Sequence, residues 1–190
     1  MKNKYLLLPN LLTYLRFAAA SSIILPLIFG YRIYSSLVLL IFITGAMSDY
    51  LDGYFARKYD LTSNIGAILD PIADKILIAS TLLFIMTNTN SKPIYWLSFI
   101  IILREVIQFF LRVFLRKNNI TLSVIKVGKI KTAFQVVAII LLLINISIGN
   151  TYFEYFSIMF ILLAAILSVY SFILYAKKTY LAMNKLLSKT

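Results

Sequence analysis

The sequence predicts an all-α membrane protein: six transmembrane helices packed in one bundle, with both termini cytoplasmic. Hydrophobic residues make up 61% of its 190 residues, at a mean hydropathy of +0.89, whereas about half of a soluble domain is apolar. They fall into six blocks, roughly 11–31, 36–56, 65–87, 94–115, 127–148 and 153–176. Each is close to the ~20 residues that a helix needs to cross a ~30 Å hydrocarbon core. Basic residues collect at alternate ends of the blocks, as the positive-inside rule requires. Lipid leaves backbone polar groups no outside partner, so the blocks are expected to be helices.

The first block follows Lys2, Lys4 and a short stretch to Asn10 that reads as an interfacial segment. Arg16 then lies near the cytoplasmic end of the span, where a guanidinium can snorkel or meet an anionic ligand. Ala18 and Ala20 resemble a leader-cleavage site, but Pro9 and Arg16 interrupt the apolar run, so removal of this block is not expected. The second block ends at Arg57 and Lys58, and a short turn around 59–64 makes blocks two and three antiparallel neighbours. Block four carries Arg104 and Glu105 among apolar residues and ends at Arg112, Arg116 and Lys117. The longest polar connection, 116–126, contains Asn118 and Asn119, a predicted turn. Block five opens with Lys126, Lys129 and Lys131, and block six is followed by Lys177, Lys178, Lys185 and Lys189. Fourteen basic residues thus lie on the side of the termini, and only Arg32 and Lys92 lie opposite. Trp96 and the tyrosines near block ends read as interfacial anchors. No repeat or long linker divides the chain, so 1–190 is expected to be a single domain.

The net charge of +12 follows from this orientation and from contact with anionic headgroups, and no nucleic-acid partner is expected. The absence of cysteine and histidine excludes disulfides, thiolate catalysis, serine–histidine chemistry and most zinc sites. Chemistry is left to carboxylates, hydroxyls, Lys, Arg and bound metal.

Four of the seven acidic residues, Asp49, Asp52, Asp70 and Asp74, fall in one window at the junction of blocks two and three. A charge at the centre of a membrane helix costs about 2.5–3.5 kcal/mol on insertion scales. Four together repel one another unless something neutralises them. Asp49 and Asp52 are three residues apart, and Asp70 and Asp74 four, so each pair shares a helix face. Two antiparallel helices then bring both pairs to one depth. Four carboxylates suit one or two hard divalent cations, Mg²⁺ or Mn²⁺ and most simply two ions, which prefer oxygen ligands and accompany substrate phosphates. Gly53, Ala56 and Gly66 leave room beside them, either for a ligand or for close helix packing. Arg57 is suited to gripping a phosphate. A cation transporter or channel is the rival from another class, but its acidic residues would spread through membrane depth rather than cluster.

Read together, these positions run Asp49-x2-Asp52-Gly53-x2-Ala56-Arg57-x8-Gly66-x3-Asp70-x3-Asp74. This resembles the signature of the CDP-alcohol phosphatidyltransferase family in every specified residue and spacing. The resemblance implies a six-helix membrane enzyme, homodimeric, that displaces CMP from a CDP-linked lipid with the hydroxyl of an acceptor alcohol. It implies that the four aspartates hold the metal, that Asp74 is the general base, and that Asp52, Gly53, Ala56, Arg57 and Gly66 lie around the CDP moiety.

Other stretches are similar to the branch of the family that takes CDP-diacylglycerol and glycerol 3-phosphate. They are Pro9-Asn10-x-Leu12-Thr13-x2-Arg16, Arg104-Glu105, and Gly128-Lys129-x-Lys131-Thr132-Ala133-x-Gln135. Phe110 departs from that branch, which usually has glycine there, and it is expected to reshape the acceptor pocket; phosphatidylglycerol, serine and inositol phosphate stay open as acceptors. A phosphorylated acceptor needs cations, and Arg104, Arg112, Lys129 and Lys131 are the candidates, although Arg104 can also pair with Glu105. The expected location is a bacterial inner membrane, with the active site facing the cytoplasm.

Overall fold

The computed structural model describes the backbone of residues 2–59, 66–117 and 126–187, and the side chains of 13–48, 69, 72–115, 128 and 130–181. Among the described residues the chain forms six helices and no strand. They are α1 (Lys2–Phe29), α2 (Ser35–Tyr59), α3 (Gly66–Asn88), α4 (Lys92–Lys117), α5 (Lys126–Ile148) and α6 (Thr151–Leu187). All six apolar blocks are helical. Two stretches, Ile130–Ile148 and Thr151–Leu181, are long and apolar enough to cross a membrane, and Thr13–Phe29 and Ser35–Ser48 are shorter apolar stretches.

The helix ends have local causes. Gly30 closes α1 with φ 72°, and Tyr31 N donates to Pro26 O at 2.8 Å while Gly30 N donates to Leu27 O. This paired pattern on a left-handed glycine satisfies carbonyls that the helix leaves open. Gly149 closes α5 with φ 67° and a single bond from its N to Asn145 O at 2.8 Å. Pro93 lies in the first turn of α4, where its missing N–H removes no helix bond.

Two expectations are corrected. The segment before the first span is not separate, because α1 runs unbroken from Lys2 through Pro9. Block six ends at 176, yet α6 continues to Leu187. Its 37 residues span about 55 Å, beyond the hydrocarbon thickness.

The chain divides into two compact units. The first is Met1–Thr89 with Ile140–Asn150, which holds α1, α2, α3 and the end of α5; the second is Asn90–Ile139 with Thr151–Thr190. In the first, α1 packs along both α3 and α2, and α2 packs on α3. Its core is apolar, with Ala20, Ile23, Val38, Phe42, Leu82 and Ile85 all buried. Ser22, Ser48, Ser80 and Thr81 turn their hydroxyls onto carbonyls of their own helices, which satisfies these hydroxyls without water. In the second unit α4 packs on α6. The outward faces of these helices carry Leu103, Val106, Ile107, Leu162, Ile166 and Ile173, while Ser98, Arg104, Glu105, Gln108, Ser168 and Ser171 are buried. That inversion suits a lipid surround, since polar groups are satisfied inside and hydrocarbon faces outward.

Candidate functional site

The aspartate positions lie where α2 and α3 pack together. Gly45 and Leu77 mark their register: a Cβ built on Gly45 would meet Leu77 Cδ2 at 2.5 Å, so a larger residue there would oblige the leucine to shift. Asp49 is one turn beyond Gly45 on the same stripe of α2, and Asp74 is one turn before Leu77 on the same stripe of α3. The helices run in opposite directions, so this contact brings the two positions to one level. Asp52 and Asp70 follow on the next level, toward the link between the helices. The backbone therefore places the four aspartate positions on two adjacent levels of packed helices.

Asp74 is half-buried on α3, between fully buried Ala73 and nearly exposed-free Leu77, and it is engaged by neighbouring groups. The side chains of Asp49, Asp52, Ala56, Arg57 and Asp70 lie outside the described residues, as do the surroundings of Gly53 and Gly66. The donor set fits a hard divalent cation by its chemistry: four carboxylates, on two adjacent levels, of two packed helices.

Arg16 belongs to the same unit. Its side chain is 0% exposed on α1, one turn after buried Thr13. Of the two expectations for Arg16, snorkelling or meeting an anionic ligand, its burial argues against the first.

The second unit holds a separate polar network. Arg104 Nη1 donates to Glu105 Oε1 at 2.8 Å, and Nη2 donates to Ser171 Oγ at 2.6 Å. Ser171 Oγ passes its own proton to Ser168 O at 3.0 Å. Lys131 Nζ reaches the same Glu105 oxygen from α5. Arg104, Glu105 and Lys131 are 5%, 7% and 6% exposed, so one carboxylate shares two cations out of solvent. A buried carboxylate bonded by two cations is far less costly than any of the three alone. Two further buried donors, Arg104 Nε and Gln135 Nε2, have no hydrogen-bond partner among the described residues. Such a group is suited to an anion with several acceptor oxygens.

Of the four acceptor candidates, the structure brings Arg104 and Lys131 together. Arg112 is exposed, and its guanidinium lies over the Tyr175 ring, 5.6 Å from the centroid. The Lys129 side chain lies outside the described residues. Phe110 is 65% exposed, its ring edge-on to Phe109. Ser171 was missed, although Ser168, Ser171, Tyr175 and Thr179 form a polar stripe at helical spacing in an otherwise apolar segment. That stripe was the available signal.

The sequence model of the CDP-alcohol phosphatidyltransferase family matches residues 6–182. A CDP-diacylglycerol–glycerol-3-phosphate 3-phosphatidyltransferase of Rickettsia felis is 33% identical over 175 residues, covering 90% of this chain and 96% of its own. The protein of the same name from Rickettsia typhi is 33% identical over 95% of this chain and 99% of its own. An Arabidopsis thaliana relative, numbered 2 under that name, is 33% identical over 97% of this chain and 84% of its own.

Proposed function

Because the chain belongs to the CDP-alcohol phosphatidyltransferase family, and is therefore a phosphatidyltransferase, we propose that it moves the phosphatidyl group of CDP-diacylglycerol to glycerol 3-phosphate, giving phosphatidylglycerophosphate and CMP. The observation that carries the choice of acceptor is the buried Arg104–Glu105–Lys131 cluster, which gathers two cations and the spare donor of Arg104 Nε, groups that suit a phosphate. The names of the Rickettsia and Arabidopsis relatives point the same way.

In this reading Asp49, Asp52, Asp70 and Asp74 hold divalent cations, Mg²⁺ or Mn²⁺ and two in number. When bound, these neutralise the diphosphate and the charge that builds on departing CMP. Asp74 accepts the proton of the acceptor hydroxyl as its oxygen attacks the phosphorus bonded to the diacylglycerol oxygen. The bond from that phosphorus to the bridging oxygen breaks, and CMP leaves with the electron pair. Asp52, Gly53, Ala56, Arg57 and Gly66 surround the CDP moiety, with Arg57 gripping its phosphate. Arg104 and Lys131, assisted by Lys129 and Arg112, hold the acceptor's phosphate, and holding both reactants in line contributes much of the rate.

The same reading gives six membrane-spanning helices with both termini and the site on the cytoplasmic side, in a bacterial inner membrane, and a homodimer as the working unit. Purified protein with CDP-diacylglycerol, Mg²⁺ or Mn²⁺ and a panel of acceptors tests the substrate. Phosphatidylglycerophosphate from glycerol 3-phosphate is expected. A product only with serine, inositol phosphate or phosphatidylglycerol would move the acceptor assignment, and none with any acceptor would remove the enzyme reading.

A further inference from the structure

We propose that Gln135 is a specificity-determining residue for the acceptor: with Ser168 and Arg104 Nε it reads the oxygens of a phosphomonoester and discriminates against a phosphodiester. The inference deepens the proposed transfer to glycerol 3-phosphate, and its role in turnover rests on that reading.

The observations all lie within the second unit. Gln135 on α5 is 2% exposed, and its Nε2 has no hydrogen-bond partner among the described residues. The same holds for Arg104 Nε on α4 and for Ser168 Oγ on α6, both in buried residues. A buried donor left without an acceptor is costly, so one such atom on each of three helices asks for a common explanation.

Helix direction brings the three to one side of the ion cluster. Arg104 bonds Ser171 and Arg112 lies over Tyr175, so α4 and α6 run the same way. Lys131 joins that cluster through Glu105, whereas Phe134 stacks on Phe160, which precedes Ser171. Order along α5 is thus reversed along α6, and α5 is antiparallel to both neighbours. Gln135 follows Lys131 by one turn on the same face of α5, and Ser168 precedes Ser171 by one turn on the same face of α6. With the helices opposed, both steps lead in one direction, toward the start of α4. Arg104 leans that way too, because side chains on a helix tilt toward its N-terminus.

Chemistry names the occupant. Amide and guanidinium N–H groups only donate, and a serine hydroxyl can donate as well. Such donors beside two cations suit a group that accepts several hydrogen bonds and carries negative charge. Water fits less well, since it brings protons of its own to a set of donors. A phosphomonoester offers three strong acceptor oxygens, where a phosphodiester has one fewer and serine has no phosphate at all. Arg104 and Lys131 supply the charge that either phosphate needs, and Gln135 and Ser168 serve the third oxygen. A site built on buried donors rejects analogues that leave them unpaired.

The test is calorimetric binding of glycerol 3-phosphate and of its methyl diester to purified protein in detergent, with ligand-free thermal unfolding alongside. Q135M keeps the length of the side chain and removes the donor. Its Kd for glycerol 3-phosphate is expected to rise about 10–100-fold, the loss of one charged hydrogen bond, while that for the diester changes by about threefold or less. S168A is expected to act in the same sense to a smaller degree. S98A is the control, because the Ser98 hydroxyl is also buried without a partner among the described residues but lies nearly two turns before Arg104 on α4; its affinities are expected to stay near wild type. Since Gln135 Nε2 has no partner to lose, ligand-free Q135M is expected to unfold at or above the wild-type temperature. A lower unfolding temperature for Q135M, equal loss for both ligands, or the same loss in S98A would overturn the assignment. Phosphatidic acid in mixed micelles carries the same monoester on a lipid and is expected to compete weakly; binding tighter than that of glycerol 3-phosphate would also overturn it. These readouts need neither CDP-lipid nor turnover. A Gln135-dependent monoester site in a protein that makes no product would stand without the proposed reaction, and turnover of glycerol 3-phosphate with unchanged Kd in Q135M would leave the reaction without this site.

Discussion

In the proposed reading Asp74 stands apart from the other three aspartates, because it both holds metal and takes a proton. Asp74→Asn keeps the shape of the side chain and removes the base. Initial rates of CMP release are expected to fall by about 10²–10⁴-fold, while binding of a CDP-lipid, followed by equilibrium dialysis, changes little; near-normal rates would remove its role as base. Arg104 acts at the other substrate. Loss of a charged hydrogen bond costs about 1.5–3 kcal/mol, so Arg104→Ala is expected to raise the KM for glycerol 3-phosphate by about 10–100-fold and leave that for CDP-diacylglycerol in place. An unchanged acceptor KM would leave Arg104 as an anchor of α4 to α6. Glu105 is the residue whose importance the sequence understated. Two cations converge on one of its oxygens, so Glu105→Gln removes the charge that both of them face and is expected to cost about 3–5 kcal/mol, seen as a lowered unfolding temperature. Ser171→Ala removes one hydroxyl from the same network and costs far less. Adjacent Arg104 and Glu105 invited the guess of a local pair; only the fold could bring in Lys131 from α5 and Ser171 from α6.

Hydropathy located all six helices because lipid-length apolar blocks have few other solutions. It misplaced the ends of two. Apolar scoring stops where charge begins, at Lys177 and Lys178, yet lysine is a good helix former and α6 continues past it. The same reasoning treated Pro9 as a break, although a proline in the opening turns removes only one donor from the ladder. The acidic pairs were legible from spacing alone, since three- and four-residue steps fix a helix face. The level at which the two pairs meet was not legible, because it is marked only by the contact of Gly45 with Leu77. Overpacking a tight contact costs about 1–3 kcal/mol. Gly45→Leu is therefore expected to lower the unfolding temperature and slow CMP release together, by sliding α2 against α3. Leu77→Ala in the same chain should restore part of both. Loss of stability with unaltered turnover would separate the register from the site.

The chain as a whole shows how a very apolar composition can still carry phosphoryl chemistry. Asp49, Asp52, Asp70 and Asp74 fall in the first unit, and buried Arg104, Glu105 and Lys131 form a cluster in the second. The central claim is that four carboxylates with bound metal transfer a phosphatidyl group to glycerol 3-phosphate. The most direct measurement follows CMP released by purified protein and its D74N variant, with and without glycerol 3-phosphate, before and after chelation of divalent metal. The account predicts release only from wild-type protein, only with acceptor present, and only with Mg²⁺ or Mn²⁺ restored. Equal release from the D74N variant, or release that persists in chelator, would contradict it.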